Sequence, residues 1–450
     1  MRPERYVDLH MNDVISDLQT LIRQPSISAK NEGIEECAVL VGKILKSSGI
    51  TSEILRLGKN APPIVYGEIT SKSNPDKTLL FYNHYDVQPA EPLELWDHLP
   101  FEAVRVGNKI FGRGATDDKG ELITRIKAVS AYLKTVGDTP CNIKFIVEGE
   151  EEIGSPHMKK YLQRYEKKFS CDAIVWEFGY VDSKNRPIIG LGMKGLLFVE
   201  LLVSESVRDA HSSLAVLIRN PAWRLVEALN TLVDAKGHIL VKDWYKETRG
   251  FSKKELDIIS SEPFDETAFK KEFGIKSFVG KKRGLDAKKA LVGGATCNIA
   301  GIISGYTGIG AKTVLPGQAL AKLDFRLIPG MNPERQVKRL RAHLKSKGFG
   351  DIQIRVFHGL SAARTQPTDP FVCNVVDAAE ESFGSSILSV SNAGTGPMHP
   401  FVDVLGAPCI SVGSTYIFSR IHSPNEFARI DLLKKTTKCM CKIMENFGKC

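Results

Sequence analysis

The chain has 450 residues, 42% hydrophobic and 25% charged, a globular composition with room for roughly two or three domains that excludes intrinsic disorder. Lys plus Arg number 61 against 52 Asp plus Glu, a net charge of +9, and the basic residues are scattered among acidic ones instead of forming the stripe a nucleic-acid binder needs. Nine cysteines (Cys37, Cys141, Cys171, Cys297, Cys373, Cys409, Cys439, Cys441 and Cys450) fall at irregular spacing with no CxxC, which argues against a disulfide framework or thiolate metal site and for a reducing compartment.

The opening MRPERYVDLHMNDV has no apolar stretch of the kind a signal peptide requires. Val14, Ile15, Leu18, Leu21 and Ile22 then recur at helical spacing and stop before Pro25, and Val39, Leu40, Ile44 and Leu45 predict a second helix. TLLFYNH (78–84) reads as a buried strand, ELITRIKAVSAYLK (121–134) as a helix, NIKFIVEGEEE (142–152) as a strand running into acidic residues, and DAIVWE (172–177) as a strand ending on an acid. Such alternation predicts an α/β domain with a mostly parallel sheet. The pattern changes at GLGMKG (190–195): a strand GLLFVELLV, a helix near 221–233, a charged segment over 241–290, then strand, helix, strand across 320–358. That is a smaller α+β domain inserted at 194–366, with 1–193 and 367–450 forming the first domain. The longest uncharged run, 290–311, holds six glycines and reads as strand and loop, since a membrane span needs ~20 mostly apolar residues. A cytoplasmic protein with no membrane or nucleic-acid partner is expected.

Three clusters fall at the ends of predicted strands, where open α/β sheets place ligands. In Asn83-His84-Tyr85-Asp86, His84 and Asp86 face the same way in an extended chain, so Asp86 can orient the imidazole of a metal-bound His84 or merely satisfy a metal-free one. In GRGATDDKG (112–120) the paired acids Asp117 and Asp118 either serve chemistry or complement a helix dipole, and the turn lacks the phosphate-binding GxxxxGK[ST] pattern. Glu148, Glu150, Glu151 and Glu152 place four carboxylates within five positions. They form either a solvated acidic turn or the pairing of metal ligand and free general base that metal-assisted hydrolysis uses.

Taken in order, NHYDVQP, GRGATDDKG, EEIGS, an acid near 177, a GMKG entry to the inserted domain and a late HSPNE closely resemble the co-catalytic zinc metallopeptidases. That family includes carnosine dipeptidase, glutamate carboxypeptidase, aminoacylase and succinyl-diaminopimelate desuccinylase, and the likeness is greatest to its dipeptidase and carboxypeptidase branch. It spans essentially the whole chain. The resemblance implies a di-zinc catalytic domain, with two Zn²⁺ per subunit (Mn²⁺ or Co²⁺ being able to substitute), and an inserted lid and dimerisation domain. Carried over by motif, His84 would bind one zinc, Asp117 would bridge both, Glu152 would bind the other, and His422 would supply the second imidazole. Glu151 would be the general base acting on the water between the metals, and Asp86 would orient His84. The last ligand is assigned to Glu177. Related sequences often carry this acid one residue later, where Phe178 stands, so a one-residue shortening is assumed and Asp182 is the fallback.

The resemblance also implies that His211, in Asp209-Ala210-His211-Ser212, donates to the oxyanion across the interface of a homodimer. Arg326, His358, Thr313 and Thr395 would grip a substrate carboxylate, Arg326 through bidentate geometry. The implied activity is hydrolysis of a peptide bond in dipeptides or at the C-terminus of short peptides. The alternatives are a deacylase of N-acetyl or N-succinyl amino acids and, from another class, a non-catalytic dimeric binding protein on the same fold.

Overall fold

The computed structural model describes residues 1–58 and 60–449. It divides into two units, one formed by Met1–Gly192, Arg364–Val390 and the chain from Gly396 onward, the other by Met193–Ala363 and Ser391–Thr395.

The first unit is built on an eight-stranded sheet in the order Thr51–Leu55, Ile64–Ile69, Asn142–Glu148, Thr78–His84, Ala173–Trp176, Cys409–Ser411, Ile188–Gly190, Ile387–Ser389. Its four central strands run parallel, with His84 opposite Glu148 in register. Antiparallel pairings join Thr51–Leu55 to Ile64–Ile69, Ile64–Ile69 to Asn142–Glu148, and Cys409–Ser411 to Ile188–Gly190. Central parallel strands lie between helical layers and are therefore apolar on both faces. Leu79, Leu80, Phe81 and Tyr82 are accordingly all buried. Helix Met11–Arg23 buries the predicted stripe of Val14, Ile15, Leu18, Leu21 and Ile22. Helix Lys119–Thr135 is buried almost all round, with even Glu121 and Arg125 inside. Running the four central strands in one direction gathers their carboxyl ends, and the motif segments that follow them, on one edge of the sheet.

The second unit carries an antiparallel sheet, ordered Thr296–Ser304, Gln318–Leu327, Gly195–Ser204, Gln353–Leu360. Gly195–Ser204 alternates buried and half-buried residues along its length, as a sheet with one core face requires. Helices Pro221–Asn230 and Pro333–Ser346 cover that face, packing Leu225, Ala228, Leu340 and Leu344 on Leu197, Val199, Leu201 and Phe325. On the edge strand, Ile299, Ile302 and Ile303 stand exposed, as does Trp223 on the first helix. The charged segment forms the surface helices Lys253–Ser261, Glu266–Glu272 and Gly284–Gly293. The eight described cysteines are free; Cys450 lies outside the described residues. Among the described residues, no helix is long and apolar enough to cross a membrane.

Candidate active site

His84 closes its strand with the ring fully buried. Its Nδ1 lies 3.0 Å from the backbone oxygen of Asp86, so Nδ1 carries the proton and donates it there. That leaves Nε2 with its lone pair available, 3.1 Å from Asp117 Oδ1. The expected carboxylate–imidazole pairing is thus replaced in part by a carbonyl: Asp86 Oδ1 stands 3.4 Å from Nδ1. Its two oxygens mainly accept the backbone N–H groups of Glu151 at 3.1 Å and Glu152 at 3.0 Å. Asp86 therefore ties the histidine segment to the glutamate turn.

Asp117 sits on the GRGATDD turn. Its Oδ1 faces His84 Nε2, and its Oδ2 faces His422 Nε2 at 3.1 Å. His422 Nε2 also lies 3.1 Å from Glu152 Oε2. One carboxylate thus spans two imidazoles, the disposition a bridging ligand requires. The neighbouring Asp118 caps no helix with its side chain. It accepts Asn83 Nδ2 at 2.7 Å and the His84 N–H at 3.0 Å, pinning the strand end, so the helix-dipole explanation is not what places it. The four acids at 148–152 likewise divide. Glu148 takes the Tyr82 hydroxyl and Ser155 Oγ, Glu150 takes the His157 N–H and ring, and only Glu151 and Glu152 remain for the cluster.

The cluster demands positive charge. Burial, reinforced by the charges of Glu152, Asp117 and Asp86, pushes the Glu151 carboxyl up to about 8 despite His84. Burial and the charge of Asp117 also raise Glu152. The hydrogen bonds of Asp117 and Glu152 hold the His422 imidazole up to about 10. Burial would raise Asp117 too, but the two histidines together hold it below its ordinary value. Glu152 Oε1 and Glu177 Oε2 are buried with no hydrogen-bond partner among the described residues. Ligand atoms of Asp117, Glu152 and His422 lie within 4.8 Å of one another. Nitrogen and oxygen donors with unspent lone pairs around an excess of buried carboxylates fit a divalent metal.

Glu177 is buried beside this group, its carboxyl raised by burial and then by the charge of Glu151. Asp182, the fallback, is committed elsewhere: Oδ1 accepts the N–H groups of Lys184 and Arg186, and Oδ2 accepts Arg186 Nε and Nη2.

The second unit holds the remaining candidates. Arg326 Nη1 donates to Thr395 Oγ1 at 2.6 Å, joining two of them directly. His211 and Thr313 lie together at the small ladder of Ala210–His211 with Val314–Leu315. His358 stands apart on its strand opposite Phe198, lowered by burial. His211 is exposed, and its Nδ1 accepts the Ser213 N–H at 3.2 Å. The proton therefore resides on Nε2, the tautomer an oxyanion donor needs.

Two residues went unassigned in the sequence. Gln88 Nε2 donates to the Glu152 carbonyl and to Glu152 Oε2, both at 3.0 Å. Glu426, buried, accepts from four groups of the GRGATDD turn. Both stand inside quoted motifs, NHYDVQP and HSPNE, so motif membership was the available signal. The anion this glycine turn cradles is the chain's own Glu426. Gly114 adopts φ +82°, and a Cβ there would stand 2.6 Å from Val87 Cγ1, so only glycine fits.

A two-unit α/β protein with such a cluster at its strand ends has the donors to hold a divalent metal there. The profile of Peptidase family M20/M25/M40 matches residues 80–446, and the chain belongs to that family. The crystal structure of an M20 family metallo-carboxypeptidase, Sso-CP2 from Sulfolobus solfataricus, superposes with a TM-score of 0.91 at 35% identity, covering 97% of this chain and 99% of that one. The Beta-Ala-His dipeptidase of Homo sapiens is 30% identical over 76% of this chain and 70% of that protein. The Cys-Gly metallodipeptidase dug1 of Schizosaccharomyces pombe is 28% identical over 77% and 75%. The expected fold class and the metallopeptidase resemblance are both met.

Proposed function

We propose that this chain is a metal-dependent peptidase that cleaves dipeptides, or the C-terminal bond of short peptides, at a site holding two ions. The observation that carries the reading is Asp117, whose two oxygens each face the ligating nitrogen of a different histidine. In this assignment His84 and Glu177 serve one ion, Glu152 and His422 the other, and Asp117 both. Glu177 is preferred to Asp182 because its buried Oε2 is unspent while both Asp182 oxygens are taken. The mixed N/O donor set suits zinc, and manganese or cobalt can use the same donors. When bound, the ions supply Lewis acidity for the scissile carbonyl and acidify a water.

The chain's own residues do the rest. Glu151, raised by burial to about 8, would be kept ionised by the positive charge of bound ions; it then accepts the proton of the attacking water and passes it to the leaving amine. Asp86 holds that glutamate by its backbone. Arg326, with Thr395, Thr313 and His358, grips the substrate's free carboxylate. His211 of the partner subunit, with its proton on Nε2, donates to the developing oxyanion. The homodimer this requires is supported by the apolar exposure of the second unit, where Trp223 is 69% and Ile303 56% accessible. That unit is then both lid and dimerisation domain. Free cysteines fit a reducing, cytoplasmic setting.

The test is free-amine release by zinc- or manganese-loaded protein, with a chelator control, from dipeptides alongside N-acetyl and N-succinyl amino acids. Chelator-sensitive cleavage of dipeptides is expected. Cleavage of the acylated set alone would make the protein a deacylase, and silence with both would favour the binding-protein reading.

A further inference from the structure

We propose that Glu426 and Arg113 form a buried positioning pair that sets Asp117 against His422 and thereby governs how tightly the site holds its metal. The inference rests on the metal reading above. Glu426 Oε2 accepts Arg113 Nη1 at 2.8 Å and the Gly114 N–H at 3.1 Å, while Oε1 accepts the N–H groups of Thr116 at 3.0 Å and Asp117 at 3.2 Å. Its backbone oxygen takes the Gly112 N–H at 3.0 Å. The turn that presents Asp117 is therefore hung, bond by bond, on one side chain. His422 lies four residues before Glu426 on the same loop, so this side chain fixes the separation of the two ligands.

The loop needs such an anchor. Arg420, His422 and Asn425 all adopt left-handed backbone, at φ 59°, 58° and 64°. Side-chain-bearing residues hold that conformation only when their surroundings dictate it. Asn425 supplies a second fixed point through Oδ1, which accepts the Asp97 N–H at 2.7 Å. Arg113 extends the connection to a third ligand: Nη2 donates to the Pro89 carbonyl at 3.2 Å. Pro89 follows Gln88, whose amide holds the Glu152 carboxylate. Three ligand-bearing segments thus converge on one ion pair, each partner 1% exposed. An apolar pair could replace the mutual attraction of the two charges, but it would leave the N–H groups of Gly114, Thr116 and Asp117 without an acceptor. Direction is what the charges supply.

The experiment measures zinc affinity of the full-length protein by competition with a chromogenic chelator, well below each variant's Tm. Glu426→Gln sets an amide NH₂ against donors, and an affinity loss of about 10–100-fold is expected, as for other partners of metal ligands. Arg113→Lys keeps the charge while loosening the fork, so it carries the test if Glu426→Gln does not fold, and a loss of several-fold is expected. The control is Ile443→Ala in the closing helix, which lowers Tm through the core alone and should leave affinity unchanged. Affinity in both pair variants equal to wild type, or falling no more than in the control at matched Tm, would overturn the positioning role. Wild-type protein that takes up no zinc would instead overturn the metal reading, and this inference with it.

Discussion

Replacing Asp86 by Asn tests whether that side chain acts through the glutamate turn, as its bonding indicates, or only through the imidazole. The carboxylate is fully buried and accepts two backbone N–H groups, from Glu151 and Glu152. An amide of the same shape can accept one of them and must turn its NH₂ toward the other. Leaving a buried N–H unpaired costs about 1–3 kcal/mol, and downgrading the surviving bond from charge-assisted to neutral costs about 1 kcal/mol more. The turn carrying Glu151 therefore loses about 2–4 kcal/mol of restraint. At about 1.4 kcal/mol per factor of ten, the expected fall in kcat/KM is about 10²-fold, with the decrease in kcat. The assay is steady-state dipeptide hydrolysis at saturating zinc, with thermal unfolding alongside. The His84 ring should stay oriented, because its Nδ1 donates to the Asp86 carbonyl, which Asn retains. Activity within threefold of wild type at saturating zinc would refute the reasoning; so would a loss that added zinc fully restores, since the defect would then lie in His84.

Glu151→Gln should retain metal and Tm while turnover falls by about 10²–10⁴-fold, the range for a lost general base; metal content and kcat on one preparation check this, and retained turnover removes Glu151 from that role. His211→Ala should elute as the same oligomer by size-exclusion chromatography yet lose about 10²-fold in kcat, as for a missing oxyanion donor; an unchanged rate would end the cross-subunit assignment. Arg125→Met addresses stability. Arg125, fully buried, donates to Glu121 Oε2 at 2.9 Å and to the carbonyls of Trp176 and Val412 at 2.9 and 3.1 Å, bracing two strand ends beside Glu177. Leaving Glu121 without its counter-charge should cost about 3–5 kcal/mol in urea unfolding, and a loss under about 1 kcal/mol would show the pair to be dispensable.

Local sequence determined a good deal here, and for a local reason. The apolar runs at 79–82 and 145–147 suit central strands of a sheet covered on both faces, and the helical stripe from Val14 to Ile22 marks one buried face. The acids and histidines follow such strands directly, so His84, Glu151, Glu152 and Glu177 were legible as a group at one sheet edge. What local pattern could not convey is which acid each backbone donor meets. Asp86 binds N–H groups 65 and 66 residues away, and Glu426 binds a turn more than 300 residues distant. Arg326 meets Thr395 across 69 residues, on a five-residue return to the second unit that carries no periodic signal. Strand order makes those pairings, because a hydrogen bond is satisfied by proximity in space and is indifferent to separation along the chain. The local sequence specified which acids and histidines end the strands, while the sheet order and the return of the C-terminal segment decided that Asp117 would stand between two histidines.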